Sequence, residues 1–247
     1  MEGIRPEERV IIALDVGGLD EAEKVVRATG ERAVVYKIGS ELFTRCGPSS
    51  VELLRKHGKE VFLDLKFHDI PNTVSRAVAA AAALGVKMLN VHAFGGAEMM
   101  RAAVEAARRA DGGEGPKGLA VTGLTSIDES ILGEDIGCPA GRGVEEQVVH
   151  LAKVAAGSGL DGVVASAREV AVIRQTVGSE FLIVTPGIRP RWAAKGDQRR
   201  VTTPAEALRA GADYIVVGRP VTASENPKEA LERIIAEISG IASNETP

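Results

Sequence analysis

Short apolar, β-branched runs recur eight times along this chain, and helical patterns fill the intervals between them. These runs are Val10–Val16, Ala33–Gly39, Glu60–Phe67, Met88–Ala93, Gly118–Thr125, Gly162–Ala167, Phe181–Ile188 and Tyr214–Pro220. Most are continuous apolar stretches, which is typical of parallel strands that are covered on both faces. Eight strand–helix units within 247 residues predict one α/β domain over residues 1–247, folded as a closed (β/α)₈ TIM barrel. An open doubly wound sheet is the alternative.

Local signals mark where several of the predicted helices begin and end. The segment Thr203–Glu206 has the form of a capping box with proline at the first helical position, and Pro227 opens the last helix. Gly85, Gly159 and Gly211 each stand shortly before a predicted strand. We expect these three glycines to terminate helices in a backbone conformation that other residues rarely adopt.

Composition limits the classes of function. Lysine and arginine number 30 against 34 aspartate and glutamate residues, so the net charge is −4, which disfavours general nucleic-acid or membrane-surface binding. The uncharged stretch Ala77–Val86 is too short to span a bilayer, and Met1–Val10 lacks the apolar core of a signal peptide. Cys46 and Cys138 form no metal or disulfide pattern. We therefore expect a cytoplasmic protein that binds neither nucleic acid nor membrane.

Charged side chains stand at the ends of three successive predicted strands. Asp15 lies at the end of the first, Lys37 near the end of the second, and Asp64 and Lys66 near the end of the third, with Asp69 at the following turn. Residues two apart on a strand share a face, and barrels carry their active sites at the carboxyl ends of the strands. A salt-bridged strand end, or a lysine that reaches out to solvent, is the alternative. Charges on three apolar strands nevertheless carry a desolvation cost, which favours a catalytic cluster.

A second candidate site lies at the ends of the seventh and eighth strands, where barrels of this type often bind phosphate. Gly218 would let a backbone N–H approach an anion, and Arg219 would chelate it. The segment Arg189–Val201 is basic and long enough to act as a lid, and Ser126–Gly143 is a second long segment after a strand. A tight turn with a surface arginine is the alternative interpretation.

One further motif, in 157–162, fits the glycine pattern of a dinucleotide-binding loop, Gly-x-Gly-x-x-Gly. Such a loop must follow a strand and open a helix. This segment is predicted to end a helix and open a strand, so the chain is not expected to bind a dinucleotide there.

Taken together, the strand-end residues resemble the bacterial form of the orotidine 5′-phosphate decarboxylase family. The motif that carries most of the resemblance is Asp64-x-Lys66-x-x-Asp69-Ile70-Pro71-x-Thr73, with Asp15, Lys37, Leu124-Thr125-Ser126, Pro186-Gly187-Ile188-Arg189, Gln198 and Val217-Gly218-Arg219-Pro220 in matching order. The resemblance covers nearly the whole chain, and no functional position departs from the pattern. It implies conversion of orotidine 5′-phosphate to UMP and CO₂, the last step of pyrimidine nucleotide synthesis, without a cofactor or a metal.

The resemblance also implies a role for each of these residues. Lys37, Asp64, Lys66 and Asp69 would form the catalytic charge network, with Lys66 as the proton donor. Substrate contacts would come from Asp15, Lys37, Asp64, Ile70, Thr73, Thr125, Arg189, Gln198, Gly218 and Arg219. Asp69, Ile70 and Thr73 would reach into the site of a second subunit, so that a homodimer would be required for activity.

Three other functions stay open on the sequence. Relatives that decarboxylate keto-gulonate phosphate, or that act as hexulose-phosphate synthases, share the Asp-x-Lys-x-x-Asp core and bind Mg²⁺, but they resemble one another in having glutamate where Lys37 stands. A non-catalytic nucleotide-binding barrel would be expected to have lost one charge of the network, and none is lost. A phosphate-sugar isomerase rests on fold analogy alone.

Overall fold

A computed structural model describes residues 4–109, 115–124, 126–139, 141–193 and 202–242. The strands are β1 (Val10–Leu14), β2 (Val35–Gly39), β3 (Glu60–Phe67), β4 (Met88–His92), β5 (Lys117–Val121), β6 (Gly162–Val164), β7 (Leu182–Thr185) and β8 (Tyr214–Val217). The helices are α1 (Leu19–Thr29), α2 (Ser40–Cys46), α3 (Ser49–Lys56), α4 (Pro71–Ala82), α5 (Gly96–Arg109), α6 (Val144–Gly157), α7 (Val170–Val177), α8 (Pro204–Arg209), α9 (Arg219–Thr222) and α10 (Pro227–Ala242). No helix within those ranges is both long and apolar enough to cross a membrane.

The strands close into a barrel in sequence order, with every neighbouring pair parallel and β1 paired with β8. This confirms the predicted (β/α)₈ architecture and excludes the open sheet. Each strand begins within two residues of its predicted start, but most end earlier than predicted. At β7 the reason is local: Pro186 has no N–H for the sheet ladder, and Gly187 turns the chain away with φ +79°. The residues between the observed and the predicted strand ends lie outside the sheet, at the rim of the barrel.

Alternate residues along the strands enter two separate apolar clusters. Ile11, Val35, Phe62 and Met88 belong to the smaller one, which fills the barrel interior. The intervening strand residues pack outward against the helices in the larger cluster. Because side chains alternate along a strand, continuing the interior positions toward the carboxyl ends of the strands leads to polar residues at the mouth of the barrel. The packing of the core thus decides which side chains face the site.

The predicted helix termini are observed. Gly85, Gly159 and Gly211 have φ values of +71°, +85° and +108°. The glycine-patterned segment at 157–162 joins the end of α6 to β6, so it lacks the strand-to-helix setting of a dinucleotide-binding loop. The side chain of Thr203 accepts a hydrogen bond from the Glu206 N–H at 3.2 Å, and the Glu206 carboxylate accepts one from the Thr203 N–H at 2.9 Å. These two bonds form the capping box of α8.

Replacing Thr203 with alanine is expected to lower the free energy of unfolding by about 1 kcal/mol, because an N–H at the start of α8 then loses its acceptor. Thermal or urea denaturation measures the change. Glu206→Gln keeps an acceptor in the same place and serves as the control. Equal losses in the two variants would contradict the capping role of the Thr203 hydroxyl.

Candidate active site

Four charged side chains form a continuous row of alternating sign across the mouth of the barrel. Asp15 Oδ1 lies 3.2 Å from Lys37 Nζ, which lies 3.4 Å from Asp64 Oδ2. The other carboxylate oxygen of Asp64 lies 2.7 Å from Lys66 Nζ. Asp15 follows β1, Lys37 belongs to β2, and both Asp64 and Lys66 belong to β3. The strand-end charges that the sequence singles out are therefore brought together, and we call them the charge row.

The middle of the charge row is buried, whereas its two ends are open. The side chains of Lys37 and Asp64 are each 12 % exposed, against 68 % for Asp15 and 35 % for Lys66. Burial by itself raises the pKa of Asp64, but the two flanking ammonium groups and hydrogen bonds from Lys66 and Asn90 outweigh it, so the pKa lies below its ordinary value. The carboxylate is therefore ionised at neutral pH. The stability that it contributes is lost only as the pH falls through this lowered value.

Lys66 has an unusual backbone. Its φ of +52° is left-handed, and no other non-glycine residue in the described ranges has a positive φ. The regular pairing of β3 with β4 is also interrupted between Leu63 and Phe67. The sequence predicts that Asp64 and Lys66 meet because residues two apart on a regular strand share a face. They do meet, but through an irregular turn of the chain that directs Lys66 back toward Asp64.

Asn90, on β4, was not among the predicted site residues. It is fully buried, its Nδ2 donates to Asp64 Oδ1 at 2.7 Å, and its Oδ1 accepts from the Lys66 backbone N–H at 2.8 Å. The sequence signal is a lone amide inside the apolar run Met88-Leu89-Asn90-Val91. A buried amide needs partners, and here both partners belong to the charge row.

Two glycines lie close to the charge row. A Cβ on Gly39 would lie 3.2 Å from Lys37 Nζ, which is tighter than most real contacts, and 3.6 Å from Asp15 Oδ1. A Cβ on Gly218 would lie 3.8 Å from Asp15 Oδ2. The backbone at the end of β8, which the sequence marks as an anion site, thus adjoins the first member of the row.

The remaining predicted residues fall into three groups. Asp69, Ile70 and Thr73 are exposed at the rim where α4 begins, and Ile70 is 66 % exposed. Among the described residues Asp69 makes no ion pair with the charge row; its carboxylate accepts the Ile70 N–H at 2.6 Å. Thr125 and Gln198 lie outside the described residues.

At the predicted phosphate end, Arg219 is exposed at the first position of α9 and Gly218 precedes it. Arg189, by contrast, is only 5 % exposed. A bridge between Ile188 and Thr202, with a 3.0 Å hydrogen bond from the Arg189 N–H to the Thr202 carbonyl, closes the base of the segment between them. Arg189 therefore belongs to the base of this segment rather than to a basic surface.

Beyond that base the chain is held against neighbouring helices. Arg191 is 3.3 Å from Glu206, and the guanidinium carbon of Arg233 lies 4.3 Å from the ring centre of Trp192. Residues 194–201, which carry the rest of the predicted basic segment, lie outside the described residues. The described part of the other long segment, 126–139 and 141–143, includes a π turn at Ile131–Asp135.

Chemically, the charge row presents one accessible ammonium group, that of Lys66, whose position is fixed by a buried carboxylate. Such a group stabilises negative charge that develops on a ligand, and it also carries a proton to donate. With an exposed carboxylate at the other end of the row and a glycine–arginine turn beside it, the rim is suited to a ligand that has hydroxyl groups and an anionic group.

Comparisons with known proteins identify the family to which the chain belongs. The family model described as orotidine 5′-phosphate decarboxylase / HUMPS family matches residues 8–234. The chain is 50 % identical over 232 residues to the orotidine 5′-phosphate decarboxylase of Pelobacter propionicus, covering 94 % of this chain and 95 % of that relative. It is 52 % identical over 239 residues to that of Syntrophotalea carbinolica, with coverage of 96 % and 97 %.

Among solved structures, the crystal structure of orotidine 5′-phosphate decarboxylase from Lactobacillus acidophilus superimposes with a TM-score of 0.83 at 40 % identity, covering 93 % of this chain and 98 % of that one. An uncharacterised conserved protein from Geobacillus kaustophilus gives a TM-score of 0.81 at 39 % identity, with coverage of 93 % and 99 %. Sequence and structure lead to the same assignment: the chain belongs to the orotidine 5′-phosphate decarboxylase / HUMPS family.

Proposed function

We propose that this chain is a carboxy-lyase that converts orotidine 5′-phosphate to UMP and CO₂, the last step of pyrimidine nucleotide synthesis. The single observation that carries the proposal within the family is the position of Lys37, whose Nζ lies 3.2 Å from Asp15 and 3.4 Å from Asp64. An ammonium group thus stands between two carboxylates that would otherwise suit a divalent cation. Three curated relatives that are 50–52 % identical to this chain are named orotidine 5′-phosphate decarboxylase.

The substrate is proposed to lie across the mouth of the barrel, with its phosphate at the end of β8. Gly218 offers a backbone N–H there and Arg219 a guanidinium, with Gln198 and Arg189 completing the phosphate site. Asp15 and Lys37 would bind the ribose hydroxyls, and Thr125 the pyrimidine ring. This arrangement places the ring at the other end of the charge row, toward Lys66.

Decarboxylation breaks the bond between ring carbon C6 and the carboxyl carbon, CO₂ leaves, and the electron pair stays on C6. The ring offers that pair no good electron sink, so the barrier is high, and enzymes lower barriers by roughly 8–23 kcal/mol. At an effective dielectric constant near 20, one ammonium group about 4 Å from the developing charge supplies about 4 kcal/mol. Lys66 would supply that charge and then transfer its proton to C6, which yields UMP.

Asp64 is proposed to act in two ways. Its ionised carboxylate, 2.7 Å from Lys66 Nζ, keeps that lysine charged and in place. It would also face the carboxylate of the substrate, and the resulting repulsion would be relieved as CO₂ departs. The phosphate, remote from the bond that breaks, would supply the binding energy that holds the ring in this unfavourable place.

Further aspects of the proposal concern assembly and location. A homodimer would bring Asp69, Ile70 and Thr73 of one subunit to the charge row of the other, and their exposure at the rim supports this. The match of one family model to residues 8–234 supports a single catalytic domain. A biosynthetic activity of this kind and two free cysteines support a cytoplasmic location.

The test is turnover without metal. Purified protein in EDTA is expected to convert orotidine 5′-phosphate to UMP, followed by the loss of the orotidylate absorbance, and the rate is expected not to rise when Mg²⁺ is added back in excess. Absence of turnover would reject the proposal. Turnover that requires Mg²⁺ would instead favour the metal-dependent phosphate-sugar relatives.

A further inference from the structure

The charge row has a second anchor besides its ion pairs, in the side chain of Asn90. This residue is 0 % exposed. Its two hydrogen bonds run to different kinds of group: one to a side-chain oxygen of Asp64, at 2.7 Å, and one from the main chain of Lys66, at 2.8 Å. The amide therefore ties the carboxylate and the lysine backbone to the same rigid strand.

The lysine backbone needs such an anchor. A left-handed φ crowds the Cβ of any non-glycine residue against the backbone, so a lysine holds this conformation only where its surroundings favour it. The ladder between β3 and β4 is also interrupted at this point, so the amide of Asn90 takes the Lys66 N–H where regular pairing with β4 is lost. Without this acceptor, a buried or half-buried N–H would be left unpaired.

We propose that Asn90 is a positioning residue for the reaction, which holds Lys66 in its left-handed conformation and locks the Asp64 carboxylate against the Lys66 ammonium. The inference deepens the proposed function, since it concerns how the proposed proton donor is aimed. Asn90 itself is covered by its neighbours and acts through the two charged residues.

Neither leucine nor aspartate would serve both bonds at this position. Leucine has the same branched arrangement of heavy atoms but neither donates nor accepts, so both partners would lose a bond. Aspartate would still accept from the Lys66 N–H, but it would bring a second carboxylate against Asp64. The charged and titratable groups around that position are Asp64, Lys66 and Lys37 from β2 and β3, together with His92 on β4 and His68 stacked against it.

The experiment compares Asn90→Leu and Asn90→Asp with wild type. Displacement of the Lys66 ammonium slows the chemical step more than it weakens substrate binding, because a displacement of about 1 Å costs roughly 100-fold in rate. For Asn90→Leu we expect kcat to fall about 100-fold while KM for orotidine 5′-phosphate changes less than about threefold. For Asn90→Asp we expect kcat, relative to wild type, to recover as the pH falls, because two facing carboxylates then share a proton that restores the donor.

Thr29→Val is the matched control. Thr29 is also buried, at 1 % exposure, and its hydroxyl bonds to the Val25 carbonyl and to Tyr36, away from the charge row. This variant is expected to lose thermal stability and to keep wild-type kcat. A kcat loss below threefold in Asn90→Leu would overturn the positioning role, as would an equal kcat loss in Thr29→Val or the absence of pH recovery in Asn90→Asp.

Crystal structures separate this inference from the proposed function. In Asn90→Leu, Lys66 is expected to leave the left-handed region and its Nζ to move away from Asp64, whatever reaction the protein catalyses. An unchanged Lys66 in that structure would overturn the inference even if the wild type decarboxylates its substrate. An inactive wild type, by contrast, would reject the proposed function and leave the structural comparison as the test of Asn90.

Discussion

Replacing Lys66 with alanine is expected to lower kcat for orotidine 5′-phosphate by roughly 10⁵- to 10⁷-fold, the largest effect of the substitutions considered. Two contributions disappear together. The ammonium charge near the reacting carbon is worth about 4 kcal/mol, or roughly 10³-fold in rate. Proton donation by a positioned side chain contributes a further 10²–10⁴-fold or so. Spectrophotometric turnover at high enzyme concentration measures the residual rate.

The controls for this variant address folding and charge. Alanine at position 66 would still have to adopt the unfavourable φ of +52°. Unfolding curves and UMP titrations by calorimetry must therefore show that Lys66→Ala keeps an intact fold and site. Lys66→Arg keeps a positive charge but holds its proton too tightly to donate it, so its activity is expected to lie between those of alanine and wild type. A loss of about 10³-fold or less in Lys66→Ala would contradict the role of proton donor, because removal of the charge alone accounts for that much.

The second large effect concerns two inactive proteins that become active when mixed. If Asp69 serves the site of the partner subunit, a heterodimer of Lys66→Ala and Asp69→Ala chains contains one site with both changes and one with neither. Random exchange of subunits makes about half of the dimers mixed. Since one of the two sites in each mixed dimer is wild type, about a quarter of all sites regain wild-type composition. The observation behind this expectation is that Asp69 stands exposed at the rim without an ion pair to its own charge row.

Activity of the mixture then measures whether sites are shared. The two variants are purified separately, mixed under conditions that allow exchange, and assayed alongside native mass spectrometry, which counts mixed dimers. We expect the rate to rise toward about a quarter of wild type as mixed dimers form. A mixture that contains mixed dimers but keeps the low rate of its parts would show that each subunit carries a complete site.

The barrel and the members of the charge row could be predicted from local pattern alone. Continuous apolar runs indicate parallel strands, and parallel strands place their carboxyl ends at one mouth, so Asp15, Lys37 and Asp64 had to meet once the barrel closed. Arg189 was harder to place. The sequence puts it at the start of a basic segment, but the residue is only 5 % exposed, beside the bridge between Ile188 and Thr202.

The left-handed backbone of Lys66 and the hydrogen bonds of Asn90 could not be predicted from the sequence. A strand pattern carries no sign that one residue will adopt a left-handed φ, because that conformation depends on an acceptor 24 residues away on the next strand. The amide of Asn90 was visible as an anomaly within an apolar run, but its partners were set by the register between β3 and β4. Long-range hydrogen bonds of this kind are properties of the closed barrel rather than of any segment.

The charge row sums to zero, since its two ammonium groups balance its two carboxylates. The free-energy cost of bringing these four charged groups together is therefore part of the folding of the barrel and does not depend on a ligand. Buried ion pairs of this sort often stabilise a protein less than apolar residues of the same shape would. We therefore expect that replacing the row with apolar residues of similar shape would leave the fold intact or stabilise it, while removing the charges that the proposed reaction uses.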